Sequence, residues 1–79
     1  MKLVTLYTKP QCHLCDLVKA VIQDVARRRR FRLEVRNILD DPADTEKYKT
    51  AIPVVMVDGQ EIARYRLTGH DLEAALGRE

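Results

Sequence analysis

The chain has 79 residues, a formal net charge of +2, and a composition that is 46% hydrophobic and 33% charged. That length predicts one domain, residues 1–79, and that composition excludes a disordered chain. The mild charge gives no electrostatic footprint for a polyanion partner, and no apolar run approaches the ~20 residues of a membrane span.

In chain order, Leu3 to Tyr7 (LVTLY) is nearly continuous in apolar or β-prone residues and predicts a strand covered on both faces. Lys9-Pro10-Gln11 breaks the run. From residue 13 to about 29, Leu14, Leu17, Val18, Val21, Ile22 and Val25 keep the 3,4-spacing of one apolar helix face, with Asp16, Lys19, Gln23 and Asp24 opposite. Phe31 to Arg36 alternates strictly, which predicts a strand with one wet face at or near a sheet edge. Asp41 as N-cap and Pro42 at the first helical position open a short helix ending near Thr50. Pro53 to Val57 (PVVMV) reads as a buried strand starting at a proline. The Asp58-Gly59 turn then sends the chain back through Glu61 to Arg66. Thr68 and Asp71 have the spacing of a capping box before a last helix striped by Leu72, Ala75 and Leu76. The order β-α-β-α-β-β-α, with right-handed crossovers, predicts an α/β fold: a four-stranded mixed sheet with flanking helices.

The only two cysteines, Cys12 and Cys15, stand three apart where the first helix begins. They can be a metal clip, a staple or a redox pair. A structural zinc site takes four Cys/His ligands. The other candidates are His13, which leaves the helix start in a different direction, and His70, far along the chain. A staple over so short a loop removes little unfolded-state entropy. An iron–sulfur cluster or metal carried between two chains through Cys12 stays open as an alternative. MKLVTLYTK has no small-residue cleavage site and too short an apolar core for a signal peptide, so the chain is expected to be cytoplasmic. In a reducing compartment a close pair is catalytic or metal-binding more often than structural. A free thiol titrates near ~8.5, and thiols in such motifs at helix N-termini fall to roughly 3.5–7.5. The first cysteine faces the unpaired N–H groups, so Cys12 is the candidate nucleophile and Cys15 the candidate resolving thiol. An imidazolium at His13 would favour the Cys12 thiolate, but the helix N-terminus opposes that charge; we read His13 as an exposed residue that tunes the potential slightly.

LYTKPQCHLC running into a helix, followed by IPVV and DG, resembles the glutaredoxin-like branch of the thioredoxin superfamily over essentially the whole chain. The resemblance implies a thioredoxin-like fold of glutaredoxin type and a dithiol thiol–disulfide oxidoreductase with a Cys12/Cys15 redox disulfide. It also implies that Pro53 follows a cis bond beside the cysteines and that the Ile52 backbone pairs with an extended substrate. Lys9 corresponds to a lysine that meets a glutathione carboxylate. Thr68-Gly69-His70-Asp71 stands where glutaredoxins carry Gly-Gly-x-Asp for the γ-glutamyl end, which puts Asp71 among the substrate-binding candidates. One glycine is missing there, Arg64 to Leu67 intervenes, and the motif interior is His-Leu in place of Pro-Tyr. The implied partners are a disulfide-containing protein or glutathionylated substrate, with glutathione or a thioredoxin-type reductase as electron donor. No cofactor is tightly bound; glutathione enters as co-substrate.

Arg27 to Arg30 and Arg32 make the most conspicuous charge cluster. Cations at a helix C-terminus complement the macrodipole. The cluster has none of the aromatic interleaving that single-strand binders use, which argues against a nucleic-acid partner.

Overall fold

Alternation along the first strand sets the layers. Val4 and Leu6 pack on one side with Val18, Ile22, Val25, Val55, Val57, Leu72 and Leu76. Tyr7 faces the other side, among Cys15, Ile38, Tyr48, Val54 and Met56. The computed structural model describes residues 1–77. Strands β1 (Leu3–Thr8), β2 (Arg32–Asn37), β3 (Val54–Val57) and β4 (Gln60–Arg64) form one sheet in the order β2-β1-β3-β4. The β1–β2 pair is parallel and the other two pairs are antiparallel. Helices α1 (His13–Ala26) and α3 (Gly69–Leu76) contribute to the Val4/Leu6 cluster, and Tyr48 of α2 (Pro42–Tyr48) to the cluster around Tyr7. This is the expected β-α-β-α-β-β-α mixed sheet with flanking helices. The nearly unbroken apolar runs of β1 and β3 follow from having both faces covered.

Local chemistry fixes the joints. The Asp41 side chain accepts the Ala43 N–H at 2.9 Å, with Pro42 at the first helical position. Asp58 and Gly59 both take positive φ (50° and 83°), as a two-residue hairpin turn requires. The Asp58 carboxylate also accepts the Leu3 N–H at 2.8 Å, while its own N–H donates to the Leu3 carbonyl at 2.8 Å, which ties the hairpin to β1.

Several boundaries differ from the sequence expectation. Helix α1 stops at Ala26 because the N–H groups of Arg27, Arg28 and Arg29 fold back to the Asp24 and Val25 carbonyls in a tight turn. Its buried stripe is Cys15, Val18, Ile22 and Val25; Leu14 and Leu17 lie off it, exposed. Strand β2 is exposed on both faces, not one. It is one of the two edge strands, and Leu33 and Val35 are only partly covered there. Residues 38–40 form a 3-10 turn that no periodicity announced, anchored by buried Ile38 and by the Asn37 side chain accepting the Leu39 N–H at 2.9 Å. Helix α2 ends at Tyr48 and β4 at Arg64, each two residues early.

Candidate active site

The end of β1 delivers the chain through Lys9, Pro10 and Gln11 to the start of α1. Cys12 is the N-cap of that helix. Its Sγ accepts the N–H of Cys15 at 3.2 Å. An N–H aimed at sulfur, at the positive end of a helix, stabilises a thiolate over a thiol. Cys12 and Cys15 are joined in a disulfide, their Cα atoms 5.2 Å apart. The two sulfurs sit in different surroundings. Cys15 is 1% exposed and packs with Ile38, Tyr48, Ala51, Ile52 and Val54, while Cys12 is half-buried and open to an approaching group.

The loop before β3 forms the opposite wall. The Ile52–Pro53 bond is cis, as the resemblance implied, and both residues are buried. The Ile52 N–H and carbonyl take no part in the backbone bonds of the described residues outside helices and strands, so an unpaired main-chain edge lies beside the cysteines. Among the remaining candidates, Lys9 is exposed in the loop leading to Cys12 and has no ion pair among the described residues. Asp71 stands exposed in the first turn of α3. Its N–H donates to Thr68 Oγ1 at 3.0 Å, which is one half of the predicted capping box. The structure thus brings Cys12, Cys15 and Ile52 into one packed cluster, while Lys9 and Asp71 stand exposed in the loop before α1 and the first turn of α3. Among the described residues no group of three or more His, Cys, Asp or Glu side chains is placed to hold a metal.

Tyr65 is the residue that sequence reasoning missed. Its φ is +67°, a conformation that costs a non-glycine residue of order 1–3 kcal/mol. The Arg66 N–H reaches back to the Arg64 carbonyl at 2.7 Å, closing a three-residue turn centred on Tyr65. The Tyr65 N–H donates to the Pro53 carbonyl at 2.8 Å and its hydroxyl to the Thr50 carbonyl at 2.9 Å. One residue, through its backbone N–H and its side-chain hydroxyl, thereby clamps both ends of the segment that carries the unpaired edge. Left-handed turns usually announce themselves by Gly or Asn; Arg-Tyr-Arg carries no such signal. Deeper in the cluster, the Tyr7 and Tyr48 rings meet at 4.4 Å. Burial, then the neighbouring Tyr48, pushes the Tyr7 hydroxyl above the usual tyrosine range, keeping it neutral.

A family model described as "Glutaredoxin-like domain (DUF836)" matches residues 3–77. The chain belongs to this family. Similar solved structures include the solution NMR structure of protein Ne2328 from Nitrosomonas europaea, with 26% identity, 94% of this chain and 89% of that chain covered, and a TM-score of 0.80. The X-ray structure of target protein XcR50 from X. campestris is 30% identical over 92% of this chain and 93% of that one, with a TM-score of 0.71. Thioredoxin 1 from Thermosipho africanus, at 20% identity and a TM-score of 0.63 over 94% of this chain and 93% of that one, shares the fold. A cysteine pair in disulfide contact at the first helix of this glutaredoxin-like chain supports thiol-based oxidoreductase chemistry. None of the described helices is long and apolar enough to cross a membrane.

Proposed function

We propose that the chain is a dithiol oxidoreductase that reduces disulfides or glutathione mixed disulfides. The observation that carries this reading is the unequal pair: Cys12 half-buried at the helix N-cap with an N–H on its sulfur, and Cys15 enclosed behind it. In the reduced protein the Cys12 thiolate attacks one sulfur of the substrate disulfide. A Cys12–substrate mixed disulfide forms and the other substrate thiol leaves. Cys15 then attacks Cys12, the second substrate thiol leaves with a proton, and the Cys12–Cys15 disulfide remains. Two electrons pass from the dithiol to the substrate. A thiol donor, glutathione or a reductase, returns them. The substrate's extended backbone pairs with the Ile52 edge beside Pro53, as an added strand does. Lys9 meets a carboxylate of the incoming molecule, and Asp71 an amino group.

The test is turnover of a glutathionylated peptide with glutathione as donor, by the wild type, Cys12→Ser and Cys15→Ser. Turnover by the wild type and none by Cys12→Ser is the expected result. Activity kept in Cys15→Ser shows that one thiol suffices for glutathione mixed disulfides. An active Cys12→Ser would overturn the assignment of the nucleophile, and an inactive wild type the role of glutathione.

A further inference from the structure

An apolar groove of about 410 Å³ reaches the Cys-x-x-Cys motif at Leu14 and is lined further by Leu17 and Val21 of α1 and by Tyr65, Arg66 and Leu67 of the loop before α3. Three of these side chains are large, apolar or aromatic, and in water: Leu14 is 45% exposed, Leu17 53% and Tyr65 46%. The sequence pattern placed both leucines on the core face of the helix, and the fold does not bury them. About half of each is therefore left to water, outside the buried stripe of the helix. Leu14 lies between Cys12 and Cys15 in the chain. Tyr65 is shared between the groove, which it lines, and the unpaired Ile52 edge, because its N–H holds the Pro53 carbonyl. The lining includes Arg66 and no carboxylate, and Arg66 has no ion pair among the described residues.

From these features we infer that the groove is a specificity site for a polypeptide substrate. It takes an apolar side chain of the chain that carries the disulfide, with an acidic neighbour set against Arg66. The inference rests on the oxidoreductase reading above. Charge and continuity select this occupant. The groove is apolar along α1 and cationic at Arg66, and it opens at the motif that reacts. Leu14 to Val21 spans seven residues of helix, roughly 10 Å. An extended peptide covers that in about three residues. The anchoring side chain accordingly sits about three positions from the reacting cysteine. Glutathione is too short to fill it: beyond its cysteine it has only glutamyl and glycyl units and no apolar side chain. The same active site thus distinguishes a protein disulfide from a small one through contacts remote from sulfur.

The test is a single-turnover measurement that needs no electron donor. Pre-reduced protein is mixed with excess disulfide, and oxidation of the Cys12/Cys15 dithiol is followed. The probes are bis(2-hydroxyethyl) disulfide and a set of octapeptides whose single cysteine carries a 2-hydroxyethyl mixed disulfide. One peptide has leucine and aspartate three and four residues from the cysteine. Its controls replace leucine by serine or aspartate by lysine. The wild type is expected to react about tenfold faster with the leucine peptide than with the serine one, as burial of most of a leucine side chain implies. Leu17→Ser should collapse that preference, and Arg66→Glu should reverse the preference between aspartate and lysine. Equal rates for all peptides in the wild type, or preferences that survive both substitutions, overturn the groove while leaving the redox chemistry standing. A wild type that even bis(2-hydroxyethyl) disulfide cannot oxidise overturns the oxidoreductase reading and this inference with it.

Discussion

The two ends of α1 are about 20 Å apart and solve opposite problems. At the N-terminal end the helix begins on Cys12, an N–H points at sulfur, and apolar side chains stand in solvent. At the C-terminal end charge is dense, and Arg28 and Arg29 are partnered. Arg28 pairs with Glu73 at 2.9 Å and with Asp24 at 3.2 Å, and Arg29 reaches Glu73 at 3.5 Å and the Gly77 carbonyl. Two arginines of the cluster, the loudest feature of the sequence, in this way staple the end of α1 to α3. The quieter residues, Leu14, Leu17 and Tyr65, flank the reactive pair. Charge that is satisfied internally fixes structure, and apolar surface left unsatisfied is what a partner can cover.

The sharpest way to break this contrast is at Cys12. Cys12→Ser should lower disulfide reduction by at least about 10³-fold, since it removes the proposed nucleophile. It should also leave the reduced protein as stable as reduced wild type, because a serine hydroxyl can accept the same N–H and is a favoured N-cap. Cys12→Ala should lose the activity and also about 1 kcal/mol of stability with the cap. Equal thermal midpoints for the two reduced variants would mean that the N-cap bond is energetically idle.

Both ends depend on the same buried middle. Ile22 is fully buried between β1, β3 and α3. Ile22→Ala should cost about 2–5 kcal/mol in denaturant unfolding. A chain of this size has about 4–12 kcal/mol in all, so the variant sits near the threshold of folding and loses activity by unfolding. A loss under 1 kcal/mol would show that the stripe is not the structural axis of the molecule. A smaller effect is expected at Tyr65. Tyr65→Phe removes the hydroxyl bond to Thr50 and should cost about 0.5–1.5 kcal/mol. Amide exchange should quicken chiefly in residues 50–52, with the arginine end unchanged.

Much of this was legible in the sequence because short-range physics wrote it. The Cys-x-x-Cys spacing at a helix start, Asp41-Pro42 and Asp58-Gly59 each fix backbone within a few residues, and the structure places all three as expected. Strands β1 and β3 were readable because burial on both faces leaves a continuous apolar run. What escaped depends on long-range geometry. Leu14, Leu17, Leu33 and Val35 have core-like periodicity, yet which apolar residues are covered depends on where α3 and the sheet edge fall. Tyr65 adopts a turn that its own chemistry disfavours, held by carbonyls of Thr50 and Pro53 far away in sequence. Arg28 and Arg29 needed Glu73, more than forty residues on, before their role could be seen.

The staple at the arginine end should show the smallest effect of the set. Glu73→Gln removes an exposed ion pair, and such pairs contribute little at ordinary salt. A drop in Tm of about a degree or two is expected, vanishing at high ionic strength. The pH dependence has a definite direction. The hydrogen bond from Arg28 holds the Glu73 carboxyl below the usual carboxylate range, with burial opposing it more weakly. Unfolding releases that carboxyl to its ordinary value near ~4.3. The staple's contribution is therefore complete above that pH and is lost as the pH falls through the lower folded-state value, because the unfolded chain takes up the proton first. Between pH 6 and pH 3 the gap in Tm between wild type and Glu73→Gln should close. Disulfide reduction at pH 7 should be the same in both, since Glu73 pairs with Arg28 and Arg29 at the end of α1 opposite the cysteines. A gap that widens on acidification, or a variant with altered reduction rate at pH 7, would mean that the two ends of α1 are coupled and that the arginines reach the chemistry after all.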